Sequence, residues 1–249
     1  MACIGTLLLC QCGATGRGVH HDVIAHGAFA QLRIYRPQDP PRHIALLLSG
    51  DGGWGAPLEA IAAGLAARGS LVAGIDTREW LAALNRSGSP CIAPGAQLAD
   101  LGHYLEERYA AAAPAPVLIG HSAGASLAYV ALAQGKPGDF AGALTLSFCT
   151  EMDLKRPLCP AAALRGTPRS AGVRLLPGGV LPAPWIALHG LDDEECPAPE
   201  AREFVGAVPG SRFVALPGVG HAYRDSRRWW EAFLSSYDTL AAGAGPAAP

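Results

Sequence analysis

Gly120-His121-Ser122-Ala123-Gly124 is the stretch whose residue types and spacing most plainly imply chemistry. It follows the apolar run Val117-Leu118-Ile119 and precedes a run of small and apolar residues from Ala125 to Leu132. Gly-x-Ser-x-Gly between a buried strand and a helix is the setting of a nucleophile elbow, a sharp turn that lifts the Ser hydroxyl out of the sheet. The glycines leave room where a Cβ would meet neighbouring backbone. The amide of Ala123, at the start of the helix, is placed to face a developing oxyanion.

A Ser hydroxyl needs a base, and the base needs an orienting acid. Two later stretches offer them. His189-Gly190-Leu191-Asp192-Asp193-Glu194-Glu195-Cys196-Pro197 carries the acid, and Gly218-Val219-Gly220-His221 carries the base. Asp193, three residues after Gly190, is the preferred acid and Asp192 the alternative. The chain order Ser122, Asp193, His221 is the one that strand-to-helix elbows use. The loop Ser49-Gly50-Asp51-Gly52-Gly53-Trp54 follows a central strand and is expected to give the second oxyanion donor, the amide of Asp51. Asp51, Gly52, Trp54 and His121 are the expected substrate-binding residues. The Asp51 carboxylate has two readings: a partner for an ammonium group on the substrate, or a cap for the helix beginning near Ala56. His20, His21, His26, His43 and His103 read as surface groups. His20-His21-Asp22 lacks a third ligand at useful spacing, so no metal is expected, and a Ser-His-Asp mechanism requires no cofactor.

The chain alternates strands and helices around these residues. Strands are expected at 29–35 (an edge strand), 44–48, 71–75, 117–119, 143–148, 185–188 and 213–216. Helices are expected at 56–68, 78–84, 96–113, from 125 on, at 199–208 and at 225–240. Short apolar strands separated by helices imply an α/β fold with a mostly parallel, doubly wound sheet flanked by helices. Residues 149–184 form a long, proline-punctuated stretch without periodicity, expected to be a lid or active-site wall. One domain is expected over 26–241, with a possible export segment at 1–25 and a flexible tail at 242–249.

Half of the 249 residues are hydrophobic, 16% are charged, and the formal net charge is −2. That balance argues against disorder and against a nucleic-acid partner. No apolar run is long enough to cross a bilayer. Cys3, Cys10 and Cys12 lie in the apolar N-terminal stretch. Cys91, Cys149, Cys159 and Cys196 lie in the expected domain, three of them beside proline, which suits disulfides in an oxidising compartment; three pairings are open. Peripheral contact with a membrane surface is expected through 175–185. Cytoplasmic residence is the alternative to export.

The blocks SGDGGW, LIGHSAGASLAY, FAGALTLSFCTEMDLKRPLC, PWIALHGLDDEECP and LPGVGHAY together resemble the VirJ/AcvB group of bacterial virulence-associated α/β-hydrolases. The resemblance spans about residues 44–230. It implies an α/β-hydrolase fold, a periplasmic location, and hydrolysis of the aminoacyl ester of aminoacyl-phosphatidylglycerol. It implies Ser122 as nucleophile, His221 as base and Asp193 as acid, and it suits Asp51 as an ammonium partner. Two other readings stand beside it: a non-enzymatic secretion adapter on the same scaffold, and a small-molecule esterase.

Overall fold

The computed structural model describes residues 21–109 and 115–243. The expected export segment up to residue 20, with Cys3, Cys10, Cys12 and His20, lies outside the described residues. So do the last turn of the helix expected at 96–113 and the tail from 244.

Eight strands form one sheet: β1 (His21–His26), β2 (Phe29–Tyr35), β3 (His43–Leu48), β4 (Ser70–Ile75), β5 (Val117–His121), β6 (Gly142–Leu146), β10 (Trp185–Gly190) and β11 (Arg212–Leu216). Their spatial order is β1-β2-β4-β3-β5-β6-β10-β11. β2 pairs antiparallel with β1 and with β4, and the remaining pairs are parallel. Residues 21–25, expected in the N-terminal segment, therefore belong to the sheet, and β2 is not an edge. β1 escapes a pattern reading because its side chains are half-exposed or exposed along its whole length.

The central strands are apolar because both of their faces are covered. Ile44, Leu46 and Leu48 of β3 point into one buried cluster, and Ala45 and Leu47 into another. The first cluster packs under α3 (Pro94–Tyr109), α4 (Ala123–Gln134) and α5 (Ala198–Gly206). The second packs under α1 (Ala56–Ala67) and α6 (Trp230–Ala241). α2 (Thr77–Arg86) is capped by Asp76, whose side chain accepts from the Glu79 amide at 3.2 Å.

Residues 149–184 are more regular than expected, and Cys149, Glu151, Asp153 and Leu154 among them do wall a cleft over Ser122. The stretch holds a second, three-stranded antiparallel sheet ordered β7-β9-β8, made of β7 (Glu151–Met152), β8 (Arg165–Arg169) and β9 (Gly172–Leu176). Every residue of β8 is exposed, so no buried face imprints a period on its sequence, and Pro168 is tolerated because β8 lies at an edge. Leu154, Ala163, Leu175 and Leu181 anchor the insertion in the first cluster. The stretch 175–185 is not a continuous apolar surface. Leu175, Leu181 and Trp185 are buried, and only Leu176 and Val180 are exposed large apolar residues there.

Two disulfides select one of the three open pairings: Cys91–Cys159, across 68 residues, and Cys149–Cys196, across 47. The first ties the α2–α3 loop to the insertion, next to a backbone bond from the Cys159 amide to Ile92 O at 2.9 Å. Among the described residues, no helix is long and apolar enough to cross a membrane.

Candidate active site

The strand order reverses at β3, whose neighbours β4 and β5 lead away in opposite directions. Loops leaving the carboxyl ends of strands at such a point flank a crevice. The loop after β3 and the β5–α4 turn meet there.

Ser122 sits at that turn with φ 55° and ψ −122°, a conformation that a side-chain-bearing residue adopts only under constraint. The constraint is close packing. A Cβ at Gly120 would collide with Gly124 O, and a Cβ at Gly124 would collide with Ser49 O. Both flanking glycines are therefore dictated by backbone contact.

His221 Nε2 lies 3.0 Å from Ser122 Oγ. On the other side of the ring, Nδ1 lies 3.0 and 3.1 Å from the two Asp193 carboxylate oxygens. The structure thus brings Ser122, His221 and Asp193 together. Asp193 is buried and faces the ring, whereas Asp192 is exposed, with its amide donating to Val219 O at 3.0 Å. Asp193 also accepts from the amides of Cys196 (2.9 Å) and Glu195 (3.1 Å) and from the Ser147 hydroxyl. Burial pushes its pKa up, but the bonds from His221, the Cys196 amide and Ser147 outweigh burial and hold it at about 2. The same bond from Asp193 raises the His221 pKa, opposed by burial and assisted by the charges of Asp193, Glu195 and Asp51. An imidazole held at Nδ1 by a carboxylate, with Nε2 free toward a hydroxyl, can take up that hydroxyl's proton.

A cleft of about 470 Å³ opens over Ser122 and His221. Asp51, Ala123, Asp153, Glu195 and the Cys149–Cys196 pair help to line it. Among the described residues, the amides of Ala123 and Asp51 donate to no other protein group, which leaves both free for an incoming oxyanion. Asp51 does not cap the following helix: the cap of α1 is Gly55, with no side-chain bond.

Three of the expected substrate-binding residues do not line this cleft. Trp54 is turned onto the sheet, over Gly74, with its ring 6.2 Å from that of Tyr35 and 5.6 Å from the Arg33 guanidinium. Its amide donates to Asp76 at 3.1 Å. It fills the space above a glycine and pins the loop. His121 braces the His221 backbone: its Nε2 lies 2.8 Å from His221 O, and burial lowers its pKa, favouring the neutral ring that donates there. Gly52 is exposed on the loop, and a Cβ there would meet nothing within 4 Å.

Residue patterns gave no hint of two supports. Ser147 has φ 52° and donates to Asp193; its amide and Leu188 O both meet the buried Tyr223 hydroxyl, at 3.2 and 2.8 Å. Tyr223, two residues after His221, could have been singled out only by its place in the histidine loop. A larger groove of about 1110 Å³ runs along the small sheet beside Lys155, Arg165 and Arg169; it meets the cleft at Asp153, Leu154 and Arg169 and is lined by neither Ser122 nor His221. Asp193, Cys196 and His221 offer ligand atoms within 4.8 Å of one another. They make a poor metal site, because the Cys196 sulfur is committed to a disulfide and both Asp193 oxygens are engaged.

No protein-family model and no curated protein matches the chain. Solved structures do. Est1E from Butyrivibrio proteoclasticus aligns with a TM-score of 0.60 at 15% identity, over 89% of this chain and 99% of that one. Thermogutta terrifontis esterase 2 phosphorylated by paraoxon aligns with a TM-score of 0.59 at 16% identity, over 92% and 96%. A puromycin-hydrolyzing peptidase from Mycobacterium tuberculosis aligns with a TM-score of 0.62 at 15% identity, over 86% of this chain and 37% of that one. These likenesses, with the strand order, establish the class: the chain has the α/β-hydrolase fold.

Proposed function

We propose that the chain is a serine hydrolase of carboxylic esters, with Ser122 as nucleophile, His221 as base and Asp193 as acid. The observation that carries this reading is the continuous relay from Ser122 Oγ through His221 to a buried Asp193, at 3.0 Å on each side of the ring. Ser122 Oγ attacks the ester carbonyl as His221 Nε2 takes its proton. The amides of Ala123 and Asp51 receive the oxyanion, each such donor contributing roughly 2.7–4 kcal/mol to the barrier reduction. His221 then protonates the leaving alcohol, and the acyl group stays on Ser122. Water, deprotonated by the same ring, releases it. Asp193 holds the Nδ1–H tautomer and stabilises the imidazolium.

The finer reading is an aminoacyl ester, on a lipid of the aminoacyl-phosphatidylglycerol kind, hydrolysed in the periplasm by a VirJ/AcvB-like enzyme. Asp51, Asp153 and Glu195 give the cleft carboxylates that suit a substrate ammonium group, and Asp51 has no capping role to occupy it. Two disulfides favour an oxidising compartment. A smaller ester is the second reading, favoured by the esterases among the structural neighbours.

Purified protein and its Ser122→Ala variant, offered aminoacyl-phosphatidylglycerol and p-nitrophenyl butyrate, test both readings. Release of the amino acid by wild type alone supports the lipid reading. Turnover of butyrate only replaces it with the smaller ester, and equal rates in both proteins refute the nucleophile. Asp51→Asn should cost about fivefold on the aminoacyl ester, the upper end for a solvent-exposed ion pair, and little on the butyrate. Equal losses would remove Asp51 as the ammonium partner.

A further inference from the structure

We infer that the Cys149–Cys196 disulfide is a positioning pair for the triad acid, so that catalysis by this site depends on that bond being intact. The inference rests on the hydrolase reading for its rates, but its geometry stands alone. Asp193 lies on the loop after β10, and, apart from His221 and the buried His189, whose Nε2 lies 3.6 Å from Oδ2, the groups that bond its carboxylate lie at or within two residues of the two cysteines. The Cys196 amide donates to Asp193 Oδ1 at 2.9 Å, and the neighbouring Glu195 amide donates to the same oxygen at 3.1 Å. Ser147, two residues before Cys149, donates its hydroxyl to Oδ2.

The two donor sets come from different segments, the loop after β6 and the loop after β10, and the disulfide joins them. Each cysteine is fixed on its own side as well. Cys149 O accepts from the Ser126 hydroxyl at 2.7 Å, and Cys196 O meets Nε2 of the fully buried His189 at 2.7 Å. Asp193 is thus held between two strand ends that are cross-linked through the acid's own donors. Both cysteines line the Ser122 cleft, so a small reductant has a path to the bond. The other disulfide, Cys91–Cys159, touches none of these groups and provides the control.

Reduction breaks the Cys149 Sγ–Cys196 Sγ bond. A dithiol is oxidised to its cyclic disulfide, and its two electrons and two protons leave two thiols on the protein. With the loops uncoupled, the Asp193 carboxylate loses the fixed geometry that holds the His221 ring. A displacement on the 1 Å scale costs about 100-fold in rate. The His221 ionisation, now raised chiefly by the Asp193 bond, moves back toward 6.5. Of the other groups that face His221, Asp51 and His121 lie outside the two joined loops, whereas Glu195 sits next to Cys196 on the released one.

The test uses the full chain in a Cys91→Ala/Cys159→Ala background, so that one disulfide remains, titrated with dithiothreitol and then re-oxidised. Hydrolysis of p-nitrophenyl butyrate across pH and the NMR titration of the His221 imidazole are followed together. The expected result is a fall of about 100-fold in kcat with little change in KM, a His221 titration shifted down, and recovery of both on re-oxidation. Unchanged kcat and an unchanged His221 titration, with two thiols gained per chain relative to the oxidised sample, would overturn the inference. A Cys149→Ala/Cys196→Ala variant should show the same two changes; if it does not fold, the reversible reduction decides. If the oxidised wild type hydrolyses no ester, the hydrolase reading has failed, and the imidazole titration still judges the positioning claim.

Discussion

Among the described residues, only Ser122, Ser147 and Tyr223 combine a side chain with positive φ, and all three surround the Asp193–His221 pair. Backbone strain is concentrated where the geometry must be exact to fractions of an ångström, and the packed loops over-determine it. The charges follow from that geometry. His221 must be neutral to accept the Ser122 proton, and its pKa is raised above 6.5 by the Asp193 bond. The acid limb of kcat/KM should therefore lie above pH 6.5, with activity falling as pH drops through it. Asp193→Asn should move that limb down and lower kcat by about 10⁴-fold, measured as a pH–rate profile on a chromogenic ester. A limb that stays in place would contradict the assigned pair. The same residues tie folding to pH. Asp193, held at about 2 against an ordinary 3.8, contributes stability that is complete above pH 3.8 and lost as pH falls toward 2. His221 contributes below pH 6.5, and its part is lost as pH rises through its raised pKa.

At the scale of elements, what could be read from the chain was what packing imprints on sequence. β3, β4, β5 and β10 are buried on both faces, so their apolar runs stand out. The elbow stands out because two backbone contacts exclude any residue but glycine at 120 and 124. The offset from Gly190 favoured Asp193 without excluding Asp192; only the folded loop buries the one and exposes the other. β1 and β8 left no trace because neither strand has a buried face to impose alternation on its sequence. That the Trp54 ring covers Gly74 on the neighbouring strand β4 is a long-range packing fact that the loop's own residues do not announce. Gly124→Ala measures how tightly the elbow is packed. The added methyl must displace the backbone of the loop after β3, so a loss of about 3 kcal/mol in urea unfolding is expected, at the top of the overpacking range. A loss under about 0.5 kcal/mol would mean that the elbow and that loop are not in contact.

Across the whole molecule, one sheet separates two cores, and Ser122, His221 and Asp193 lie where loops from β3, β5, β6, β10 and β11 converge on the same edge. The two disulfides divide the labour. Cys149–Cys196 ties together loops that carry the acid's donors, and Cys91–Cys159 closes a loop of 68 residues that holds the insertion to the body. Removing the second by Cys91→Ala/Cys159→Ala should cost about 4 kcal/mol of stability by chain entropy, with kcat retained at temperatures where the protein stays folded. Calorimetry and an ester assay on the same sample check both halves of that expectation.

The central claim is that Ser122 is a nucleophile activated by His221. Incubation with a fluorophosphonate probe followed by peptide mass spectrometry tests it most directly. A single adduct on Ser122, absent from Ser122→Ala and strongly slowed in His221→Ala, is the predicted result; an intact, unlabelled Ser122, or labelling undiminished by the loss of His221, would contradict it.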